Sequence, residues 1–430
     1  MNILYVASGI PVPGTLGGST HTLEVARGLS ERGHTLHVVA CSGAGWGGLA
    51  ALARPISSRL GGVHVHHINV PKAASLLAAP LILRLARAIH PDLIMERYYN
   101  LAGGGILAAR RLGLPSILEV NALIVDPPAV LKRRLDDALG RPLRRWALAQ
   151  CRWAGRIVTP LHTTVPPEIA RAKIAELPWG ANTSRFPSAE LARPTGIPTV
   201  VFLGSFRAWH GVVDFVKAAA MLLALGRDCQ FLLIGDGPER AAAERLAAAW
   251  PGRFTFTGAV PYDDVPALLA GAAVGVAPFN TAPHPALRSA GFFWSPLKVY
   301  EYMAAGLPVI TANIPPLNQV IRDGQEGWLF AEGDIAGLAG AIARALDNPA
   351  AARAAGARAR VTARLRCNSD GWDAACRRRP AMHANPSPPL AARIRARRSP
   401  LAAGRMSFLT PAHDTRLRDH PGTKAAGSTH

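Results

Sequence analysis

Short apolar runs alternate with segments whose apolar residues recur every three to four positions over roughly the first 365 residues. The runs predict buried β-strands, and the periodic segments predict helices that cover a sheet. Each strand is followed by a Gly- or Pro-containing loop and a helix, which is typical of doubly wound α/β folds. The predicted strands are centred on residues 2–7, 34–40, 63–68, 92–97, 117–121, 156–159, 174–178, 199–204, 231–234, 254–258, 273–278, 309 and 328.

Changes in composition divide the chain into four segments. Residues 183–198 contain Pro187, Pro194, Gly196 and Pro198 and are predicted to link two domains. Beyond residue 366 Arg, Pro, Ala and Ser dominate, and no apolar periodicity remains. The predicted segments are a Rossmann-like domain at 1–182, the linker at 183–198, a second Rossmann-like domain at 199–366 and a disordered basic tail at 367–430.

The stretch SPLKVYEYMAAGLPVI, residues 295–310, carries the clearest chemical signal. Ser295 is predicted to cap a helix of about ten residues that ends at Gly306 and leads into a strand. Lys298 lies in the first turn, where the helix dipole disfavours a cation, and Glu301 follows on the same face. A surface ion pair is one interpretation. The alternative is a nucleotide site, in which Lys298 and the helix N–H groups bind a diphosphate and Glu301 binds a ribose diol.

This stretch resembles the nucleotide-sugar signature of the family 4 retaining glycosyltransferases, which have the GT-B fold of two facing Rossmann-like domains. Glu301 matches the second of two glutamates in the family pattern, and the first would fall at Phe293. GGSTHTLEVARGLSERGHTLHVV at 17–39 resembles the opening of these enzymes, and GSFRAWHG at 204–211 resembles their diphosphate loop. The resemblance covers about residues 2–365.

The resemblance implies a transfer reaction between a UDP- or GDP-sugar and a glycan or lipid-linked acceptor, with retention of anomeric configuration. The sequence contains no Asp-x-Asp motif, so we expect neither a metal-bound diphosphate nor another cofactor. Family members often carry a His at about the position where this chain has Asn121. This difference argues against a catalytic base at Asn121. The implied site residues are Arg207, Lys298 and Glu301 as catalytic residues, Gly17, Gly18, Ser205, His210, Val260, Ser295 and Leu297 on the donor side, and Asn121 on the acceptor side.

The net charge of +20 favours anionic partners, and residues 364–430 hold 13 Lys or Arg against 4 Asp or Glu. No nucleic-acid-binding motif accompanies this charge, so no nucleic acid partner is expected. The basic, Leu-rich segment 126–154 is predicted to be helical. It is either a solvated helix face or a contact with an anionic membrane surface or acceptor.

The apolar start at residues 2–7 predicts a strand rather than a signal peptide, and no apolar run is long enough for a membrane span. The five cysteines are scattered, which favours free thiols in a reducing cytoplasm. We therefore expect a cytoplasmic protein that can lie peripherally on the membrane.

Two further patterns resemble ligand-binding sites but are not interpreted as such. GAGWGG at 43–48 matches a dinucleotide-binding pattern but follows the second strand and lacks a downstream acidic residue. His64 and His66 share one face of a strand without further ligands nearby.

Two rival functions remain open. A sugar-nucleotide epimerase would need more carboxylates, and a non-catalytic nucleotide-sugar sensor or scaffold would fit the Phe293 and Asn121 departures.

Overall fold

A computed structural model describes residues 1–14, 17–42, 56–186, 196–366 and 370–377. Two largely parallel β-sheets organise these residues, one formed before residue 177 and one after residue 198. The GAGWGG loop at 43–48, most of the predicted linker and the tail beyond residue 377 lie outside the described residues.

The amino-terminal sheet has eight strands: β1 (Asn2–Pro11), β2 (Thr35–Cys41), β3 (Ile56–Leu60), β4 (Val63–His67), β5 (Leu93–Arg97), β6 (Ser116–Glu119), β7 (Arg156–Thr159) and β8 (Ile174–Glu176). Their order is β3-β4-β2-β1-β5-β6-β7-β8, and only β3 runs antiparallel to its neighbour. The residues Ile3 to Val6 of β1 are fully buried because helices cover both faces of the sheet.

Among the described residues, α1 (Gly17–Glu31), α2 (Ala79–Ile89), α3 (Gly104–Leu112) and α5 (Pro142–Trp153) cover this sheet, and α4 (Leu131–Ala138) packs against α5. The prediction of one helical segment at 126–154 is wrong in detail, because the chain turns between α4 and α5. Gly140 and Arg141 both have positive φ there, and Pro142 starts the next helix.

The second sheet has six strands, all parallel: β9 (Thr199–Leu203), β10 (Gln230–Ile234), β11 (Phe254–Gly258), β12 (Val274–Ala277), β13 (Val309–Ala312) and β14 (Gly327–Phe330). Their order is β11-β10-β9-β12-β13-β14, with the strand order reversing at β9. The helices are α6 (Val212–Ala224), α7 (Arg240–Ala247), α8 (Val265–Ala270), α9 (Pro285–Ala290), α10 (Leu297–Ala304), α11 (Leu317–Val320), α12 (Ile335–Asp347) and α13 (Pro349–Arg366).

A last helix, α14 (Asp370–Arg377), packs on the amino-terminal domain. Trp372 stacks on Trp179 with ring centres 5.3 Å apart, and Asp373 pairs with His34 at 2.8 Å. The prediction that residues 367–430 are disordered is therefore wrong for 370–377. The apolar stripe of Trp372, Ala375 and Cys376 is too short to stand out in sequence, but it is buried against partners that are distant in the chain.

Candidate functional site

Helix α10 begins at Leu297, one residue later than a Ser295 cap would require. Pro296 occupies the capping position and provides no side-chain cap. The Ser295 hydroxyl instead donates to the carbonyl oxygen of Trp179 at 2.7 Å. The predicted N-cap role of Ser295 is wrong, because this long-range partner takes its hydroxyl. Ser295 and Leu297, which packs against the amino-terminal core, both join the two domains at the start of α10.

The side chain of Lys298 points into its own domain and is only 6% exposed. Its ammonium lies 4.3 Å from the centre of the Phe202 ring and 5.0 Å from that of Phe279. Among the residues that the structure describes, none forms a hydrogen bond with Nζ. Burial lowers the pKa of Lys298 to about 7, although Glu301 opposes the shift. A buried ammonium without a hydrogen-bond acceptor is costly, and such groups mark binding sites for anions.

The loop after β9 approaches this ammonium closely. A Cβ at Gly204, whose φ is +131°, would lie 2.9 Å from Nζ of Lys298, so glycine is needed there. His210 Nδ1 lies 2.7 Å from the carbonyl oxygen of Ser205 and 3.2 Å from its hydroxyl. Because a carbonyl oxygen only accepts, Nδ1 carries a hydrogen and the neutral ring keeps Nε2 free as an acceptor.

The electrostatic surroundings keep His210 neutral. Burial, followed by the nearby Lys298 and then Arg207, holds the pKa of His210 well below its usual range, against the opposing bond to Ser205. Arg207 itself is exposed, and its guanidinium packs 5.2 Å from the centre of the Trp209 ring. The structure thus brings Ser205, His210 and Lys298 together and leaves Arg207 at the rim. The positive charges of Lys298 and Arg207 near His210 suit an anionic ligand.

Glu301 lies one helical turn beyond Lys298 and is partly exposed. Burial raises its pKa to about 7, against a hydrogen bond from Tyr262 and the charge of Lys298. Tyr262 was not singled out in the sequence. It follows the segment containing Val260, which is half-buried against the domain core. The guanidinium of Arg185 packs 5.4 Å from the centre of the Tyr262 ring.

Arg185 also connects the two domains. It pairs with Glu24 of α1 at 2.6 Å and with Asp263, which follows Tyr262. Arg185 belongs to the predicted linker, and no sequence pattern indicated this bridge. Glu301 therefore sits at the end of a series of contacts that begins in the amino-terminal domain.

On the amino-terminal side, Glu119 organises a buried polar network at the end of β6. Its carboxylate accepts from Tyr5, from His21 Nε2 at 2.8 Å and from Asn121 Nδ2 at 2.8 Å. Arg97 lies 3.5 Å away. Burial alone would raise the pKa of Glu119, but His21 and Arg97 lower it to about 2. Asn121 is therefore held in a fixed orientation by an ionised carboxylate.

Gly17 and Gly18 form the first turn of α1. A Cβ at Gly17 would meet no atom of the described residues within 4 Å, and one at Gly18 would make only ordinary contacts. Packing of the described residues therefore does not require glycine at either position.

Phe293, which stands where the resembled family has its first glutamate, is 4% exposed. It packs with Ala286, Leu287 and Trp294 against apolar residues of the amino-terminal domain. The loop before α10 thus closes against the other domain through apolar contacts. The contacted residues are Ala122, Leu123, Val130 and Leu161.

Within the described ranges, no group of three or more His, Cys, Asp or Glu side chains is arranged to hold a metal ion. None of the helices described here is both long and apolar enough to cross a membrane.

Comparison with known proteins follows the same division into two halves. Residues 16–165 match the family model described as Glycosyltransferase Family 4, and residues 197–348 match the one described as Glycosyl transferases group 1. The 2-deoxystreptamine glucosyltransferase of Streptomyces kanamyceticus is 30% identical over 262 residues, which are 57% of this chain and 65% of that protein. The phosphatidyl-myo-inositol mannosyltransferase of Mycobacterium leprae is 32% identical over 209 residues, 45% of this chain and 50% of that one. The chain thus spans just under two thirds of the first relative.

Solved structures share the architecture at low sequence identity. A sucrose-phosphate synthase from Thermosynechococcus elongatus superposes with a TM-score of 0.65 at 17% identity, covering 92% of this chain and all of that one. Anabaena Alr3699/HepE, solved in complex with UDP and glucose, gives 0.63 at 17% identity over 88% and 98% of the two chains.

Two helix-covered, largely parallel sheets define a GT-B fold, as the sequence predicted. The helix α14, which returns to the first domain, was not predicted. The two matched segments and the glycosyltransferase relatives support a family 4 glycosyltransferase with this fold.

Proposed function

We propose that this protein is a retaining glycosyltransferase that transfers a sugar from a UDP- or GDP-sugar to a glycan or lipid-linked acceptor. The observation that carries the proposal is the buried ammonium of Lys298, which has no hydrogen-bond partner among the described residues and lies beside Gly204 and His210. A diphosphate would satisfy this ammonium, and Glu301 lies one turn away to bind the ribose diol.

In the proposed donor site, different residues would contact different parts of the nucleotide sugar. Lys298, Arg207 and His210, with the hydroxyl of Ser205, would stabilise the negative charge that develops on the departing diphosphate. The first-turn N–H groups at Leu297 would add the helix dipole. The backbone near Val260 would hold the base, and Gly17 and Gly18 would let the α1 N-terminus approach the donor.

The proposed reaction needs no base from the protein. The acceptor hydroxyl attacks the anomeric carbon on the face from which the diphosphate departs. The bond from that carbon to the phosphate oxygen breaks as the new glycosidic bond forms, and the hydroxyl proton moves to the departing phosphate. Asn121 can orient the acceptor through its amide but cannot take this proton, and Lys298 and Arg207 replace a metal ion as counter-charges.

We also propose that α4 contacts an anionic membrane surface in the cytoplasm. Leu131, Leu135 and Leu139 follow each other at four-residue spacing and are 67%, 55% and 76% exposed. Arg134 and Arg145 are exposed nearby. An exposed apolar line flanked by cations suits the interface of an anionic bilayer. Leu139→Asp should reduce flotation with phosphatidylglycerol vesicles, whereas Leu225→Asp, at a leucine 75% exposed in the other domain, should not.

A non-catalytic nucleotide-sugar scaffold is the second candidate. The apolar burial of Phe293, where a sugar-binding glutamate would stand, favours it. Incubation of the full chain with UDP-, GDP- and ADP-sugars separates the two functions. The proposed enzyme releases the nucleoside diphosphate in the presence of an acceptor, equally with and without EDTA, and forms the α-linked product from an α-linked donor. Binding without release would identify the scaffold, and inversion would contradict the retaining mechanism.

A further inference from the structure

The side chain of Asn121 is held at one end only. Its Nδ2 donates to Oε1 of Glu119 at 2.8 Å, and no described residue donates to its Oδ1. Asn121 is partly exposed. The next two residues, Ala122 and Leu123, pack against the apolar cluster that contains Phe293 of the loop before α10. The carbonyl oxygen of this amide is therefore open to a further hydrogen bond where the first domain meets the donor loop.

Glu119 determines which way this amide faces. Its carboxyl group is fully buried, and its pKa of about 2 keeps it ionised at neutral pH. An ionised carboxylate can only accept hydrogen bonds, so it binds the N–H end of the amide of Asn121. If the amide were turned over, two acceptor oxygens would face each other at hydrogen-bond distance. The N–H end therefore points inward and the carbonyl oxygen points away from Glu119.

The carboxylate is itself held by other elements of the fold. Its Oε2 accepts from Tyr5 of β1, and its Oε1 accepts from His21 of α1 at 2.8 Å. The centre of the His21 ring lies 4.8 Å from that of Trp179, whose carbonyl oxygen accepts from Ser295 before α10. The carboxylate is thus fixed relative to the amino-terminal sheet and is linked by contacts to the start of the donor helix.

Stability alone does not explain the bond to Asn121. Tyr5 and His21 bond to the carboxylate of Glu119, and Arg97 lies near it, so this buried charge has partners without the amide. A hydrogen bond of a partly exposed side chain also adds little to the free energy of unfolding. Its consequence is the fixed position of an acceptor oxygen, and such fixed groups orient a reactant for attack.

We propose that Glu119 is a positioning residue that turns the carbonyl oxygen of Asn121 toward the acceptor, where this oxygen accepts a hydrogen bond from an O–H or N–H group. The inference rests on the proposed glycosyltransferase function and adds the polarity of the acceptor contact. The hydrogen bound by Asn121 is not the one transferred, because the attacking hydroxyl gives its proton to the departing phosphate. The acceptor therefore carries a second polar hydrogen, as a diol, an amino alcohol or water does.

Water is the smallest acceptor with two such hydrogens, so hydrolysis of the donor tests the contact. The assay measures release of the nucleoside diphosphate from UDP-glucose, GDP-mannose and ADP-glucose by the full chain, and calorimetry measures the affinity for each. Asn121→Leu removes the acceptor oxygen. Glu119→Gln can donate to Asn121 and so turn its N–H end outward. Each variant should lower the rate at saturating donor by about tenfold or more and keep the donor affinity within about twofold.

A double variant separates positioning from a structural role. In Glu119→Gln/Asn121→Asp the glutamine donates inward, and the aspartate presents an acceptor oxygen outward whichever way it turns. Its rate should recover to at least about one third of the wild-type rate. A purely structural role predicts no recovery, because the second substitution would add to the damage of the first.

Two single variants serve as controls. Glu96 is a fully buried carboxylate on the neighbouring strand β5 that accepts from the N–H groups of Gly103 and Ile106. Glu96→Gln should hydrolyse the donor at the wild-type rate. Lys217→Ala, at an exposed lysine of α6, should do the same. Equal losses in Glu96→Gln and Glu119→Gln would assign the effect to any buried charge at this edge and would overturn the proposal.

The orientation of the amide is also tested without turnover. Asn121→Asp should lower the Tm by about 2 °C or more at pH 7.5, because two carboxylates then meet. In the Glu119→Gln background the same substitution should not lower it. An Asn121→Asp variant as stable as the wild type would contradict the inward N–H end and overturn the proposal.

The remaining outcomes separate this proposal from the proposed function. Wild-type hydrolysis with an unaffected Glu119→Gln, or without recovery in the double variant, would overturn the positioning role and leave the glycosyltransferase function in place. Donor binding without hydrolysis would overturn the role of Asn121 in the attack. If no nucleotide sugar binds to the wild type, the proposed function fails, and the Tm comparison still decides whether Glu119 orients Asn121.

Discussion

The ammonium of Lys298 lies 4.3 Å from the centre of the Phe202 ring, so the lysine of α10 is directed into its own domain rather than toward solvent. Attraction between the cation and the two phenylalanine rings offsets part of its desolvation cost. The remaining desolvation cost of the Lys298 ammonium fits a role of this lysine in binding rather than in stability.

Replacement of this lysine should not destabilise the protein. We expect Lys298→Met to leave the free energy of unfolding unchanged or to raise it by up to about 2 kcal/mol, because an uncompensated buried charge is removed. Urea denaturation at pH 7 measures this difference. A loss of more than about 2 kcal/mol would mean that Lys298 is a structural residue rather than a binding residue.

Nucleotide binding should take up protons. At pH 8 Lys298, with a pKa of about 7 in the free protein, is largely neutral. A bound diphosphate raises the pKa of Lys298 and of His210, so the complex should gain about one proton. Calorimetric titration of UDP in buffers of different ionisation enthalpy measures the uptake. Lys298→Met should lose most of it, and proton release at pH 8 in the wild type would contradict the assignment.

Helix α14 should stabilise the amino-terminal domain without contributing to nucleotide binding. Trp372 is 7% exposed and stacks on Trp179. We expect Trp372→Ala to lower the free energy of unfolding by about 3 kcal/mol and to leave the affinity for UDP within about twofold. Asp373→Asn, which removes the pairs with His34 and with Arg377, should cost about 1 kcal/mol or less. Equal effects of the two variants would show that stacking is not what holds α14.

Stability should fall in mild acid because of His66. The His66 ring forms hydrogen bonds with His37 Nδ1 and with the Ser57 hydroxyl, and His66 is 8% exposed. Burial and the neighbouring His37, His64 and His67 lower its pKa to about 4. The unfolded chain therefore binds the proton first, and this contribution to stability is lost as the pH falls from about 6.5 to about 4.

The urea midpoint measured between pH 7 and pH 4.5 tests this expectation. His66→Gln should flatten the decline, whereas His90→Asn, at an exposed histidine after α2, should not. An unchanged slope in His66→Gln would assign the acid sensitivity to other groups.

The sequence predicted the parts of this fold that depend on local pattern. Buried parallel strands such as β1 and β9 are continuous apolar runs, and the SPLK stretch marks a helix with Lys298 and Glu301 on one face. The placement of Lys298 among Phe202 and Phe279 could not be predicted, because the three residues meet only through the packing of α10 on its sheet.

The failures share one physical cause. The Ser295 hydroxyl bonds to a carbonyl 116 residues away, Tyr262 forms a hydrogen bond with Glu301 of α10, and α14 stacks on Trp179. Long-range partners override local propensity in each case. Glu119 ends β6, but its bonds to Tyr5 and His21 come from two other elements.

The most direct test of the proposed donor site is calorimetric titration of UDP, GDP and ADP into the wild type and Lys298→Met, with Lys217→Ala as a matched control. One nucleotide should bind selectively to the wild type and to Lys217→Ala, and its affinity should fall by roughly tenfold or more in Lys298→Met. Equal affinity of the wild type and Lys298→Met for that nucleotide, or no binding of any of the three to the wild type, would contradict the assignment of Lys298 as the anchor of the donor diphosphate.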